Sequence, residues 1–225
     1  TSSDFIEGSA ENSFNFNVKF KGDLNKIFLN EFELRNDNTN ILAALDIKNP
    51  FDKSKYDLNV DFTEFSSVST EISNTFPEIF GSYIPSSLQS IGKFKLMGSF
   101  IYSNEKIVSD FELYNNKGNI YSSLIISEFE NIDNASYTGL FKGNEIDLSN
   151  FISIPFLGKS NFEFTIDGKG FVPQFLDSKL EGKVKSINVN GYEYQNIDVF
   201  GNVSDKVFNG KINVNDQNIN LDFTG

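Results

Sequence analysis

The sequence predicts an all-β protein built as one long antiparallel sheet with a single apolar face. Three observations predict it. Short segments alternate apolar and polar residues, the twofold period of a half-buried strand. Strand–turn–strand phrases recur along the chain. Phenylalanine supplies much of the oil, with 25 copies in 225 residues.

In chain order, NFNVKFKG (15–22) places Phe16, Val18 and Phe20 on one side and Asn15, Asn17, Lys19 and Lys21 on the other. YDLNVDF (56–62) repeats the pattern with Leu58, Val60 and Phe62. KFKLMGSF (93–100) brings Phe94 and Leu96, and NFEFTID (161–167) brings Phe162, Phe164 and Ile166. INVNDQNINLDF (212–223) adds Ile212, Val214, Ile219, Leu221 and Phe223. These residues form the candidate apolar wall.

The repeats set the organisation. FELRNDNTNILAAL (32–45) lies over FELYNNKGNIYSSL (111–124) without a gap, and YDLNVDF over YTGLF (137–141). Each phrase reads as strand, Asn/Gly turn, strand. INVNDQNINLDF is a third, looser copy with a shorter turn. Repeat units of roughly 12–91, 92–158 and 159–225 follow, as sections of one growing sheet. One segment breaks the rhythm. In 64–91, Phe65, Val68, Ile72 and Phe76 fall at helical spacing. With Ser66 or Ser67 as cap and Pro77 as terminator, this predicts one or two short helices near 66–91. Val68, Ile72 and Phe76 would face the sheet. A shorter version is expected within 147–158.

Composition removes several function classes. The net charge is −12, which opposes nucleic-acid binding and docking on anionic headgroups. The chain has no His and no Cys, so the commonest general base, the thiol nucleophile and most transition-metal ligand sets are missing together. The nearest carboxylate sets, Glu31/Glu33 and Asp110/Glu112, have the spacing of a strand's wet face. RNDNTN (35–40) and NVNDQN (213–218) lack the acid pattern of an EF-hand and read as turns. No catalytic residue, metal ligand or cofactor is expected, and the chain is not read as an enzyme. No run reaches the ~18 apolar residues of a membrane span. The chain opens without Met and closes on a strand, which reads as a piece of a longer protein.

The one-sided strands admit two readings, a core sealed between two sheets or a face left open. Every convincing strand carries the same one-sided pattern, and two short helices are too little to cover a long sheet. Both points favour the open face, and exposed apolar stripes usually mark a binding surface.

The stretch LEGKVKSINVNGYEYQNIDVFGNVSDKVFNGKINVNDQNINLDFTG (180–225) runs strand to NGYEY, then NIDVFG, then FNGKINVNDQNINLDFTG. IGKFKLMGSF and LGKSNFEFTIDGKG supply a recurring Leu/Ile-Gly-strand-Gly phrase. Together they resemble the β-groove region of TamB-like proteins, the AsmA-like family of the Gram-negative envelope, in the form found in Bacteroidota. The likeness runs from about residue 12 to the end. In the last turn Asp216-Gln217 stands where that form often has Asp-Pro. The resemblance implies an elongated, curved, U-shaped sheet with an apolar trough (a β-taco), in a parent chain anchored in the inner membrane and reaching across the periplasm. It implies phospholipid acyl chains as the partner, carried toward the outer membrane. It also implies an outer-membrane barrel-assembly protein of the TamA or BamA type. The alternatives are a scaffold that lends its sheet edge to barrel strands, and a sealed binding or adhesin sandwich.

Overall fold

A computed structural model describes residues 15–52, 54–71, 91–129, 133–149, 154–170 and 175–225. The described strands are β1 (Asn15–Gly22), β2 (Lys26–Arg35), β3 (Asn40–Lys48), β4 (Asp57–Val68), β5 (Lys93–Tyr102), β6 (Lys106–Asn115) and β7 (Gly118–Ser127). They continue as β8 (Ser136–Asp147), β9 (Leu157–Lys169), β10 (Asp177–Val189), β11 (Tyr192–Ser204), β12 (Val207–Asn215) and β13 (Asn220–Thr224). All 13 form one sheet whose spatial order is the sequence order. Every neighbouring pair is antiparallel, and among the described residues β1 pairs only with β2 and β13 only with β12, so the sheet is not closed. At about 4.8 Å per strand it spans roughly 60 Å.

Local chemistry explains the reversals. At β2–β3 the Asn36 side-chain oxygen accepts the Asn38 and Thr39 amides at 2.9 and 2.6 Å, so RNDNTN is a turn and not a calcium loop. Asn190 and Gly191, with φ of 53° and 86°, make the two-residue β10–β11 turn. Asp205 and Lys206, at 50° and 64°, do the same for β11–β12. Both central residues are left-handed, the geometry whose twist matches the flanking strands.

Bulges curve the sheet. Pairing registers shift after Leu29 in β2, after Phe62 in β4, after Gly143 in β8 and after Val184 in β10. Each extra residue bends its strand and tightens the twist. It also changes the parity of the side chains, so that the apolar positions stay on one face. Phe62 and Phe65 thus stack at 5.8 Å across the β4 bulge.

Two expectations are corrected here. Ser66, Ser67 and Val68 extend β4 instead of starting a helix, and the described residues of this segment continue into a 3₁₀ turn (Ser69–Glu71). The β4 ladder holds them: Ser66, Ser67 and Val68 pair with Lys95, Phe94 and Lys93. Val68 shares the face of Lys93 and Lys95, opposite to the predicted one. Ile72, Phe76 and Pro77 lie outside the described residues, as does most of the shorter version, of which Leu148 and Ser149 are helical. The first two repeat copies are the β2–β3 and β6–β7 hairpins, four strands apart, but the third is β12–β13, six strands further on. The four-strand period therefore slips in the last unit. The expected boundary at 158/159 falls inside β9.

Candidate functional site

The ladder registers assemble the apolar face row by row. One row runs Phe16, Leu34, Ile41, Phe65, Leu96, Leu113 on β1–β6. It continues Ile120, Gly143, Phe162, Val184, Ile197, Val214 and Leu221 on β7–β13. No polar side chain interrupts it. The next row begins Val18, Phe32, Ala43, Phe62, passes Gly98, Phe111, Ser122, Phe141 and Phe164, and ends at Ile212 and Phe223. Two further rows carry Phe20, Val60 and Ile166, and Leu58. Phe94 lies one step beyond Leu96 on the same face.

The structure thus brings the sequence-predicted wall residues together on one face, with one exception. Ile219 sits in the turn before β13, where its carbonyl accepts the Asp216 amide at 2.9 Å. Its alternation with Leu221 and Phe223 is genuine, but the turn ends the ladder at Asn220. Sequence reading missed β2, β3, β6, β7, β8, β10 and β11 as wall strands, although FELR and FELY carried apolar positions of β2 and β6. It also missed the glycines.

Those glycines order the wall. Over β5–β8, two adjacent rows alternate large and small side chains like a checkerboard: Gly98 beside Phe100, Phe111 beside Ser109, Ser122 beside Leu124, Phe141 beside Gly139. Phe62 and Phe111 meet at 6.4 Å across Gly98, which lies between them. A Cβ at Gly143 would stand 2.3 Å from the Phe162 ring, and one at Gly201 2.7 Å from the Phe208 ring. Rings that lie over glycines fill the sheet's own gaps, as aromatic side chains do beside strand glycines. The result is an even surface.

Burial varies along this face. Ile41, Ala43 and Val60 are buried, packed by Phe32, Leu34, Leu45, Leu58, Phe62, Phe65 and Phe100. At the two ends the wall is open: Phe16, Phe20, Leu221 and Phe223 are all exposed.

The opposite face is polar and paired across strands. Lys19 meets Glu31, Lys95 meets Glu64 at 3.0 Å, Lys142 meets Glu163 at 3.4 Å and Lys183 meets Asp198 at 3.3 Å. The Asn40 amide, the Lys95 ammonium and the Ser66 hydroxyl all donate to Glu64 and hold its pKa at about 2. Asp110 accepts the Tyr121 hydroxyl at 2.8 Å, and Glu112 accepts that of Tyr114. Both tyrosines are pushed above their ordinary pKa by these bonds, which are lost if the phenol ionises. These carboxylates belong to a solvated ladder and aim at no common point. Among the described residues no three acidic side chains converge on a metal-sized site. A small exception to the polarity is Ile101, Val108 and Ile125, neighbours in register on this face.

No family model, curated protein or solved structure matches the chain.

Proposed function

We propose that the sheet is a section of a lipid-conducting trough, along which phospholipid acyl chains move between the inner and outer membranes of a Gram-negative envelope. The observation that carries the reading is the uninterrupted row from Phe16 to Leu221, which crosses all 13 strands without a polar side chain. A tail leaving a membrane pays ~0.8 kcal/mol for each CH₂ exposed to water, on the order of 12 kcal/mol for sixteen carbons. Movement over tens of ångströms needs an apolar contact that never stops. It also needs no deep well in which the tail would lodge, and a wall whose rings fill its glycine gaps offers few.

Transport of this kind requires no nucleophile, base or metal. Headgroups stay in water beyond the turns while tails follow the wall. The resemblance to TamB-like proteins supports the same reading, and with it a periplasmic setting and an inner-membrane-anchored parent. The single sheet argues against the two-sheet sandwich. The experiment is mass spectrometry of lipid co-purifying with the chain. Bound phospholipid is expected at one or more molecules per chain, and lipid-free protein would refute the proposal.

The second reading is a scaffold for barrel strands, with an assembly protein of the TamA or BamA type as partner. An open sheet with strands paired only to their neighbours favours it, because the backbone donors and acceptors of a sheet edge template pairing with an incoming strand. Scaffolding alone would survive charges placed on the apolar face.

A further inference from the structure

The aromatic side chains of the wall sort by row. The three central rows, begun on β1 by Phe16, Val18 and Phe20, carry phenylalanines and no tyrosine. Tyrosine enters in the fourth row, where Tyr102 pairs with Leu58 and Ile107, and Tyr137 with Ile126. Beyond that row the strands give way to turns. Tyr56, just before β4, meets Tyr102 with ring centres 5.9 Å apart, and Phe129, just after β7, meets Tyr102 at 5.5 Å. Tyr137 is buried, and its hydroxyl donates to the Gly170 carbonyl at 3.5 Å. Tyr56 and Tyr102 are half-buried, and neither hydroxyl has a hydrogen-bond partner among the described residues. Burial, reinforced by the neighbouring Tyr102 phenol, pushes Tyr56 above its ordinary pKa, so it is a protonated donor at neutral pH. At the opposite border the Tyr192 hydroxyl is committed to Asp216 at 2.6 Å, and Tyr194 beside it offers a single donor.

Resting on the lipid reading above, we propose that Tyr56 and Tyr102 form a docking point for the ester carbonyls of a diacyl phospholipid. Those carbonyls are the first polar atoms met on leaving the tails, and they accept hydrogen bonds without donating any. Two adjacent phenols at the margin of an apolar face supply the complement. Each hydroxyl is partly withdrawn from water, so an acceptor placed on it replaces a bond that solvent makes poorly. Tyrosine takes the same level at a bilayer surface, with its ring among the tails and its hydroxyl toward the polar region. The tails then lie on the central rows, and the headgroup passes the turns into water and needs no contact of its own. The pair therefore distinguishes lipids by their linkage and not by their headgroup.

The test loads the 225-residue chain from vesicles of equimolar diester and diether phosphatidylcholine with matched tails. The chain is then repurified and its bound lipids counted by mass spectrometry. The diester lipid is expected to be enriched about threefold, the scale of one net hydrogen bond. Tyr56→Phe combined with Tyr102→Phe keeps both rings, gives up no hydrogen bond within the described residues, and should bring the ratio to parity. Tyr114→Phe with Tyr121→Phe removes two hydroxyls from the polar face and should leave the enrichment unchanged. Equal uptake of the two lipids overturns the inference and leaves the conduit standing. So does an enrichment that survives the Tyr56 and Tyr102 changes, or one that the polar-face pair abolishes. Retention of neither lipid overturns both.

Discussion

A single charge placed on the wall should stop lipid while sparing the fold. Leu96 is the position of choice. It lies on the central uninterrupted row, half-buried between Phe65 and Leu113. In Leu96→Glu, the chain loses about half of a leucine's burial, near 1 kcal/mol. The carboxylate adds a desolvation cost. At the centre of a bilayer a charge costs ~2–4 kcal/mol. On an open sheet it can lean toward water, so the sum should come to about 2–3 kcal/mol. That is a fraction of the 5–15 kcal/mol that keeps a typical domain folded. A passing tail meets the same charge with no detour, because the row is continuous.

The control sits on the other face. Glu163→Arg is a poor one, since it breaks the pair with Lys142 and sets two cations together, at a cost of ~0.5–1 kcal/mol. Asn17→Arg is cleaner: Asn17 is exposed and lies opposite Glu33 in the β1–β2 register, and its cost should stay within about 0.5 kcal/mol. In the full-length parent, Leu96→Glu and Phe164→Arg are expected to raise outer-membrane sensitivity to detergent and large antibiotics. Asn17→Arg should not. Circular dichroism of the 225-residue chain must show all three folded. If inner and outer charges leave the barrier equally intact, acyl chains do not follow this wall and the scaffold reading takes over.

Three further outcomes are expected. Gly98→Ala should destabilise the chain by about 2 kcal/mol or more in urea melts, because Gly98 has a φ of 132° and its Cβ would stand 2.0 Å from the Asp110 carbonyl oxygen. Gly191→Asn, where a Cβ meets nothing within 4 Å, should move the midpoint little. Glu64 has a folded pKa near 2, below its ordinary 4.5, so its share of stability is present above about pH 4.5 and lost as pH falls through 2. Glu64→Gln should flatten that part of an acid-unfolding curve. The third outcome concerns β13. The Tyr192 hydroxyl donates to Asp216 at 2.6 Å, Asp216 also accepts the Gln195 and Asn218 amides, and Asn218 donates to the Tyr192 oxygen. Tyr192→Phe should therefore speed hydrogen exchange in Asn220–Thr224 while leaving β6 and β7 unchanged.

Much of the face was legible because twofold alternation is a local signal. A strand with one wet side states its periodicity within six residues, as NFNVKFKG does. The bulges hid the rest. In FLNEFEL and DFTEF the apolar residues step by three at the bulge, Leu29 to Phe32 and Phe62 to Phe65. Read as an interruption, the step at 62–65 lent itself to a helical spacing through Val68. It is in truth the mark of a strand that changes parity and stays in its ladder. The role of the glycines was hidden for a different reason. Gly143 and Gly201 lie under a neighbour's ring and Gly98 lies between Phe62 and Phe111, which depends on cross-strand register and not on local sequence. The apolar residues of β13 were found, but where its ladder begins depends on the Tyr192–Asp216 contact, made 24 residues apart.

Spatial order that copies sequence order makes the sheet a ruler. Each hairpin inserted into it would lengthen the span by about 10 Å, and it would leave direction and facing unchanged for everything downstream. An odd strand would reverse every later one, and a one-residue register slip would turn the apolar side chains outward. Duplication of a hairpin is therefore a cheap unit of growth, and the phrases at 32–45 and 111–124, which align without a gap, have the form such an event would leave. With contacts confined to neighbours, stability accumulates locally, strand upon strand. The distance such a protein bridges is then set by the number of hairpins, with no redesign of any one of them.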